Sequence, residues 1–295
     1  MTSEIRPLPS FDYILPGSLA EAVNLLTEHG ASAKLLAGGT DLLPRMKRQK
    51  SSPKVVIDLN RIIDLSFITI RENALHIGAG TRLAMLYDSP VIRDKAAALA
   101  DAIHVMSSPS IRNRATIGGN LCNASRCADT PAPLLVLDAC VKLLGPDGER
   151  SVPIGSFFTA RDNGSGKTVL RADEVMTEVI IPLQTGNSTF LKLGRRRGSS
   201  TAIISVAAFV TMTNGKFNNV RIAVSAFGST PIRSEKIEMA LMGAPVNAKT
   251  IAQAAARIKD EINPIADFRA SAAYRTDMAA VLIERVVTRL AIGES

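Results

Sequence analysis

The residues whose types and spacing bear on chemistry lie in two glycine-paired stretches. One runs Arg114-Ala115-Thr116-Ile117-Gly118-Gly119-Asn120-Leu121-Cys122-Asn123 and continues through Ala124-Ser125-Arg126-Cys127-Ala128 to Asp129. It carries no long apolar side chain between Cys122 and Thr130, so it builds no core of its own. Glycine lacks a Cβ and reaches φ > 0, so such a stretch can bring bare backbone N–H groups against a ligand. The other, Lys34-Leu35-Leu36-Ala37-Gly38-Gly39-Thr40-Asp41-Leu42, is a short apolar strand that breaks at a glycine pair and runs on towards a helix. Taken together they read as two loops that converge on one diphosphate. Each N–H bond to such an anion is worth roughly 1.5–3 kcal/mol. A glycine pair by itself also serves a plain strand-to-helix turn. Neither pair leads into a Gly-Lys-Ser/Thr ending or forms G-x-G-x-x-G, so neither a P-loop nor a Rossmann site is indicated.

The other chemistry-bearing residues have ordinary readings beside functional ones. Asp41 and Asp129 sit where aspartate serves turns and caps, and Asp129 precedes the helix opened by Thr130-Pro131, where an N-cap is an equally good local role. Cys122-x4-Cys127 invites an iron–sulfur reading, but a cubane cluster wants four thiolates and only Cys140 remains, in a strand read as buried. Buried, inert thiols are the default. His29, His76 and His104 have no metal partner at a suitable spacing, so no metal site is expected. Arg195-Arg196-Arg197 reads as a solvated strand end that could also meet an anion. Tyr274 and Arg275 read as stitches between the last helix and its sheet.

Composition bounds what these residues can belong to. The 295 residues are 46% hydrophobic and 21% charged, which is ordinary globular material. No apolar run approaches the roughly 18 residues that span a bilayer, and the polar stretch Met1 to Pro9 is no signal peptide. Three cysteines make an odd set that argues against a disulfide framework; the expectation is a cytoplasmic protein. The net charge of +8 comes from scattered residues, with no tryptophan and three tyrosines. That is weak support for nucleic acid, which is not expected as a partner, and suits an anionic cofactor or acidic partner at least as well.

The elements that must position the glycine pairs follow from pattern. Ser18-Leu19-Ala20-Glu21 is a capping box, Ala22, Val23, Leu25 and Leu26 recur at helical spacing, and Gly30 stops the helix. Strands at Lys34 to Ala37 and Val55 to Asp58 complete a β-α-β unit over residues 1–60. Over 61–184 the pattern gives strands at Ile68 to Ile70, Leu75 to Gly78, Cys140 to Leu144 and Val175 to Ile181. Helices fall at Arg82 to Asp88, Ile92 to Ile103 and from Thr130. Gly145-Pro146-Asp147-Gly148 is a turn. Thr185-Gly186-Asn187-Ser188 marks a boundary. Residues 185–295 read as three strands (Thr189 to Arg196, Ile203 to Met212, Val220 to Phe227), with Asn214-Gly215 as the hairpin signal. Helices follow at Ser234 to Leu241, Ala248 to Ile262 and Thr276 to Ala291. Strands followed by helices predict α+β packing with one sheet face covered.

The ordered set Ala37-Gly38-Gly39-Thr40-Asp41, Thr116-Ile117-Gly118-Gly119-Asn120, Asn123-Ala124-Ser125 to Asp129, Val220-Arg221-Ile222-Ala223 through Pro231-Ile232-Arg233, and Ala270-Ser271-Ala272-Ala273-Tyr274-Arg275 resembles the FAD-binding (medium) subunit of the molybdenum hydroxylases, the xanthine dehydrogenase and carbon monoxide dehydrogenase group. The resemblance covers nearly the whole chain. It implies a two-part FAD-binding module of the vanillyl-alcohol-oxidase type followed by a small α+β domain with a three-stranded antiparallel sheet. It further implies that Leu35, Leu36, Ala37, Gly38, Gly39, Thr40, Asp41 and Leu42 form the first diphosphate loop. Thr116, Gly118, Gly119, Asn120 and Asn123 would form the second, and Asp129 would meet the sugar or adenine end. Met106, Val175 or Met176, and Lys192 fall at positions that flank the flavin and nucleotide. Relatives that reduce hydroxybenzoyl-CoA carry an extra cluster in a long insertion near this loop; this chain is similar to them at Cys122 but lacks the insertion.

The implied function is that of an oxidoreductase flavoprotein subunit. It would pass electrons from the 2Fe–2S clusters of a small subunit through FAD to an external acceptor such as NAD, in a complex with a molybdopterin large subunit. FAD carries the redox chemistry, so no residue is expected to be catalytic in the acid–base sense. A stand-alone flavin oxidoreductase and a non-redox nucleotide-binding assembly subunit are the rival readings.

Overall fold

In the computed structural model the described residues are 7–160, 167–196 and 200–293. Residues 1–6 of the polar N-terminal stretch and Arg197 of the arginine triplet lie outside them. Three sheets succeed one another along the chain, with a ribbon of two two-residue strands inserted before the last strand of the second.

The first sheet is parallel, in the order β1 (Asp12–Ile14), β3 (Val55–Asp58), β2 (Ala33–Leu36). Between β1 and β2 runs α1 (Leu19–His29). Ser18 caps it, its Oγ accepting from Glu21 N at 3.2 Å, while Glu21 accepts from Gly17 N at 2.7 Å. Gly30, at φ +52°, stops it. β3 is the central strand and is buried throughout, as its unbroken Val-Val-Ile run requires. β1 escapes the sequence pattern because it is three residues long and Asp12 and Tyr13 face solvent. α2 (Leu42–Lys47) follows the first glycine pair.

The second sheet has the order β4 (Ile68–Arg71), β5 (Ala74–Gly78), β10 (Val175–Pro182), β6 (Cys140–Gly145), β7 (Gly148–Pro153), all antiparallel. Leu75, Ile77, Val141, Leu143, Val179 and Ile181 point into one core. Cys140, at the start of β6, is only partly buried, contrary to the buried strand position expected of it. Between β5 and β6 come six short helices. α3 (Leu83–Asp88) is followed by α4 (Pro90–Lys95) and α5 (Ala97–Val105). The single helix expected over Ile92 to Ile103 breaks at Ala96, whose φ of −142° ends one helix and starts the next. α6 (Pro109–Arg112), α7 (Ile117–Asn123) and α8 (Pro131–Val136) complete the series. α9 (Ile154–Phe157) follows β7, and β8 (Phe158–Thr159) pairs with β9 (Lys167–Thr168).

The third sheet runs β11 (Asn187–Gly194), β12 (Ala202–Thr213), β13 (Lys216–Ser225), β14 (Ile232–Arg233). It has four strands where three were expected; the fourth is two residues long and has no pattern to read. Ala207, Phe209 and Ala223 join the core of the second sheet. Ile204, Val206, Ala208 and Val210 pack instead against α10 (Glu235–Leu241), α11 (Ala248–Ala255) and α12 (Ala272–Ile292). Both faces are therefore covered, not one. That is why β12 is apolar on both faces with no alternation, Ser205 being its one polar position before Thr211.

Candidate functional site

The C-terminal ends of the parallel strands β2 and β3 open onto a cleft of about 1320 Å³, the place where ligands sit on open parallel sheets. The cleft exceeds the roughly 300–1,000 Å³ of drug-sized pockets and suits a dinucleotide. Leu35, Ala37, Gly38, Gly39, Thr40, Asp41 and Leu42 line it on one side. Thr116, Gly118, Gly119, Asn120 and Asn123 line it as well, together with Val175 and Met176. The two glycine-paired stretches therefore share one cavity. Leu36 lies beneath the wall, in contact range of the Cα side of Gly39.

Direct contact joins the two stretches. A Cβ on Gly38 would fall 2.1 Å from the carbonyl oxygen of Arg114, so only glycine lets the backbones meet there. Gly39 has φ +72°, the left-handed turn that lets the chain leave β2 and enter α2. Through this bend the N–H groups of Gly38, Gly39, Thr40, Asp41 and Leu42 donate to no protein acceptor among the described residues. A run of backbone N–H groups left open in a bend before a helix is an anion cradle.

The second stretch is built differently from the loop expected of it. Thr116 caps α7, with Gly119 N donating to its Oγ1 at 3.1 Å. Ile117 N donates to Thr81 O at 3.1 Å, and Gly118 N to Ala79 O at 2.8 Å. These amides are engaged inside the protein, and Gly119 does not adopt a positive φ. Its contribution is to frame the first stretch. Burial pushes the Asp41 carboxyl up, and Arg45 and the neighbouring Asn123 hold it down. Across the bend Asn60, just beyond β3, donates to Ala37 O at 2.9 Å. Asp58 holds Asn60 through its backbone N–H at 2.8 Å and is itself hydrogen-bonded by the Tyr13 hydroxyl. No sequence motif flags Asn60; its place at the end of a parallel strand is the signal that could have found it.

Asp129 and Lys192 are brought together, but neither lines the cleft, and Met106, next in the chain to the Val105 that Lys192 also reaches, does not line it either. Lys192 Nζ donates to Asp129 Oδ2 at 2.7 Å and to Val105 O at 3.0 Å, and both charged side chains are buried. Asp129 Oδ1 is buried without a partner among the described residues. Desolvation pushes the Asp129 carboxyl up to about 6, against the pull of Lys192. Asp129 does not cap α8: Thr130 holds the cap position, with no side-chain bond to the helix. Thr130 Oγ1 donates to Asn120 Oδ1 at 2.6 Å, which links this pair to the cleft wall.

Six cations line the cleft around these groups: Lys34, Arg45, Lys50, Arg82, Lys167 and Arg171. Arg126 and Arg269 add two more, and among the described residues only the carboxylates of Asp41 and Glu174 face them across the cleft. Glu174 is held ionised, well below the usual carboxylate range, chiefly by a two-point bond from Arg150 at 2.6 and 2.8 Å. Scattered along the sequence, these cations give no motif. The cysteines are free thiols; burial pushes Cys122 up to about 12 and raises Cys127 and Cys140. His76 pairs with Glu178 in the second sheet and His104 stacks on Tyr87, both away from the cleft. Arg275 does stitch α12 to its sheet through the carbonyls of Ile203 and Ala226, whereas Tyr274 faces solvent.

The residues present fit FAD on this structure's own terms: a glycine cradle of open amides, a cationic cleft of dinucleotide size and a buried apolar floor at Val175 and Met176. Comparison with known proteins agrees. Residues 9–184 match the family of the FAD binding domain in molybdopterin dehydrogenase, and residues 189–290 match the CO dehydrogenase flavoprotein C-terminal domain. The chain is 32% identical to the putative xanthine dehydrogenase FAD-binding subunit of Escherichia coli, over 94% of each chain. It is 34% identical to the carbon monoxide dehydrogenase medium chain of Hydrogenophaga pseudoflava, over 95% of this chain and 96% of that one. A solved carbon monoxide dehydrogenase from that organism superposes with a TM-score of 0.92, covering 97% of this chain and 99% of the other at 34% identity. The chain accordingly belongs to the FAD-binding subunits of the xanthine dehydrogenase and carbon monoxide dehydrogenase family, and is an oxidoreductase flavoprotein subunit.

Proposed function

We propose that the chain is the electron-transfer subunit of a molybdenum hydroxylase complex, standing between the 2Fe–2S clusters of a small partner subunit and an external acceptor such as NAD. A molybdopterin large subunit would hold the substrate. The observation that carries this reading is the run of open amides from Gly38 to Leu42 at the mouth of a dinucleotide-sized cleft. Relatives named as medium chains or as subunits of a dehydrogenase complex support the partners. No helix among the described residues is long and apolar enough to cross a membrane, and three free thiols suit the cytoplasm.

On this reading the amides of Gly38 to Leu42 hold the diphosphate, with Lys34, Arg45 and Lys50 supplying charge. Asn60 and Asn123 fix the bend from either side, so the cradle is formed before the ligand arrives. Val175 and Met176 give the rings an apolar surface, and the Asp129–Lys192 pair with Met106 backs the wall at the flavin end. FAD, when bound, supplies the exchange between one-electron and two-electron carriers. The division at residues 60 and 184 is part of the same proposal, the cleft being lined mainly by the first two units, with Thr201 and Arg269 from the third.

The test is stoichiometry and electron source. The purified chain is expected to hold one FAD, to lose it in Gly38→Ala, and to have its flavin reduced by a reduced 2Fe–2S protein. A chain without flavin, or one whose flavin is reduced by a small organic substrate and not by an iron–sulfur donor, would overturn the proposal.

A further inference from the structure

The turn at 267–270 is closed by reciprocal backbone bonds between Asp267 and Ala270, at 3.1 and 3.2 Å. Three guanidinium groups converge on its single carboxylate. Arg275 donates to Asp267 Oδ1 at 2.8 Å, and its other bonds go to the carbonyls of Ile203 and Ala226. Arg126 and Arg269 both donate to Oδ2, at 2.7 and 2.9 Å. One carboxylate cannot neutralise three guanidiniums, and these bonds hold Asp267 in its ionised form. Arg275 is buried and absent from the cleft wall, while Arg126 and Arg269 both line it.

Those two arginines are oriented but not saturated. A guanidinium presents five N–H donors, and among the described residues each of these side chains has one hydrogen bond to protein. Their side chains are 24% and 17% exposed, so water solvates the remaining donors poorly. Phe268 stacks under the Arg269 guanidinium, 4.8 Å from its centre. Ala124, in the left-handed conformation at φ +47°, turns the chain out of α7 and delivers Arg126. The pair thus forms a fork whose free donors border the cleft, one arm from residues 9–184 and the other from residues 189–290.

The diphosphate cradle already has its own cations in Lys34, Arg45 and Lys50. We propose that Arg126 and Arg269 form a second anion subsite in the cleft, which takes a phosphate-class group other than the diphosphate of FAD. The proposal rests on FAD occupying the Gly38–Leu42 bend. The ligand is then the phosphoryl group of a molecule that joins the FAD-loaded chain, either a phosphorylated nucleotide or free phosphate. Planar guanidiniums held side by side suit this geometry, where lysines would act as point charges.

The experiment titrates the FAD-loaded full chain with ADP and with inorganic phosphate by calorimetry, at low and moderate salt. Binding that weakens as salt rises is expected. Affinity for ADP at least tenfold above that for phosphate assigns the subsite to a nucleotide, and equal affinities assign it to the free anion. Arg126→Gln and Arg269→Gln should each weaken binding tenfold or more while flavin content stays at the wild-type level. Arg126→Lys, which keeps the charge and the fold, should recover only part of the affinity. The proposal is overturned if the FAD-loaded wild type binds neither probe, if the three variants bind as the wild type does, or if loss of binding comes with loss of flavin, which would give both arginines to FAD itself. Failure of the underlying FAD reading is distinguishable, because it appears as a flavin-free wild type before any titration.

Discussion

At the scale of single residues, Gly38 is the position the cleft tolerates least. A methyl group there meets a backbone carbonyl at 2.1 Å, and no rotamer relieves it. Gly38→Ala should destabilise the chain by about 1–3 kcal/mol, as overpacking does, and empty it of flavin, read as flavin content and melting temperature. Gly119→Ala should be milder, since its Cβ meets only the Thr116 hydroxyl, at 2.9 Å; equal losses in the two variants would contradict the cradle drawn here. Sequence shows both pairs as glycines and cannot say which N–H groups are already engaged. Asp129 makes a second residue-scale prediction. Its carboxyl titrates at about 6 in the folded chain because it is desolvated, against about 3.9 when unfolded. Between those values the folded state binds more protons than the unfolded one, so stability falls as pH rises through the window. The contribution is fully present below about pH 3.9 and gone above about pH 6; a shift of about two units corresponds to roughly 3 kcal/mol. Denaturant titrations at stepped pH should show this slope in the wild type and a flatter one in Asp129→Asn. Parallel profiles would remove Asp129 as its source.

At the scale of elements, the stretch from Thr116 was legible as a place but not as a shape. Its small polar residues read as a loop, yet Thr116 at the cap and Ile117 and Leu121 on the buried side make it the helix α7. The cap bond to Gly119 N is what separates the two outcomes. Thr116→Ala should cost about 0.5–2 kcal/mol, and Thr116→Ser should restore most of it, measured by denaturation midpoints. A Thr116→Ala chain of wild-type stability would show that tertiary packing alone holds α7. Other elements were plain in the sequence for physical reasons: α1 has its box and its glycine stop, and the β12–β13 hairpin has Asn214-Gly215 with both residues at positive φ. β12 was found but its environment was misread. A run apolar on both faces, broken only by Ser205 before Thr211, carries no phase, so it cannot say that helices cover one face and the second sheet's core the other.

At the scale of the whole molecule, the joint between the second and third sheets was not legible in the sequence, because a joint is made of residues far apart in the chain. Asp138 is the clearest case. It lies just past the end of α8, with a left-handed backbone, φ +51°. Its carboxylate accepts from Arg221 and, at 2.9 Å, from Arg233, both on the third sheet. Arg221 also reaches Gln184 and lies 4.0 Å over the Phe209 ring, and burial lowers its pKa. A buried guanidinium deprived of its anion is costly, though Asp138 is half exposed and water would recover part of the loss. Asparagine tolerates the left-handed turn as well as aspartate does, so Asp138→Asn isolates the charge. It should cost about 1–3 kcal/mol and separate the unfolding of the second sheet from that of the third, seen as two denaturant transitions where the wild type shows one. Arg233 has a second anion in Glu238 at 2.6 Å. Arg233→Gln combined with Asp138→Asn should therefore cost less than the sum of the single changes, with a coupling of about 0.5–3 kcal/mol. Strict additivity would mean that the apolar contact of α8 with the third sheet, and not this ion cluster, joins the two parts of the molecule.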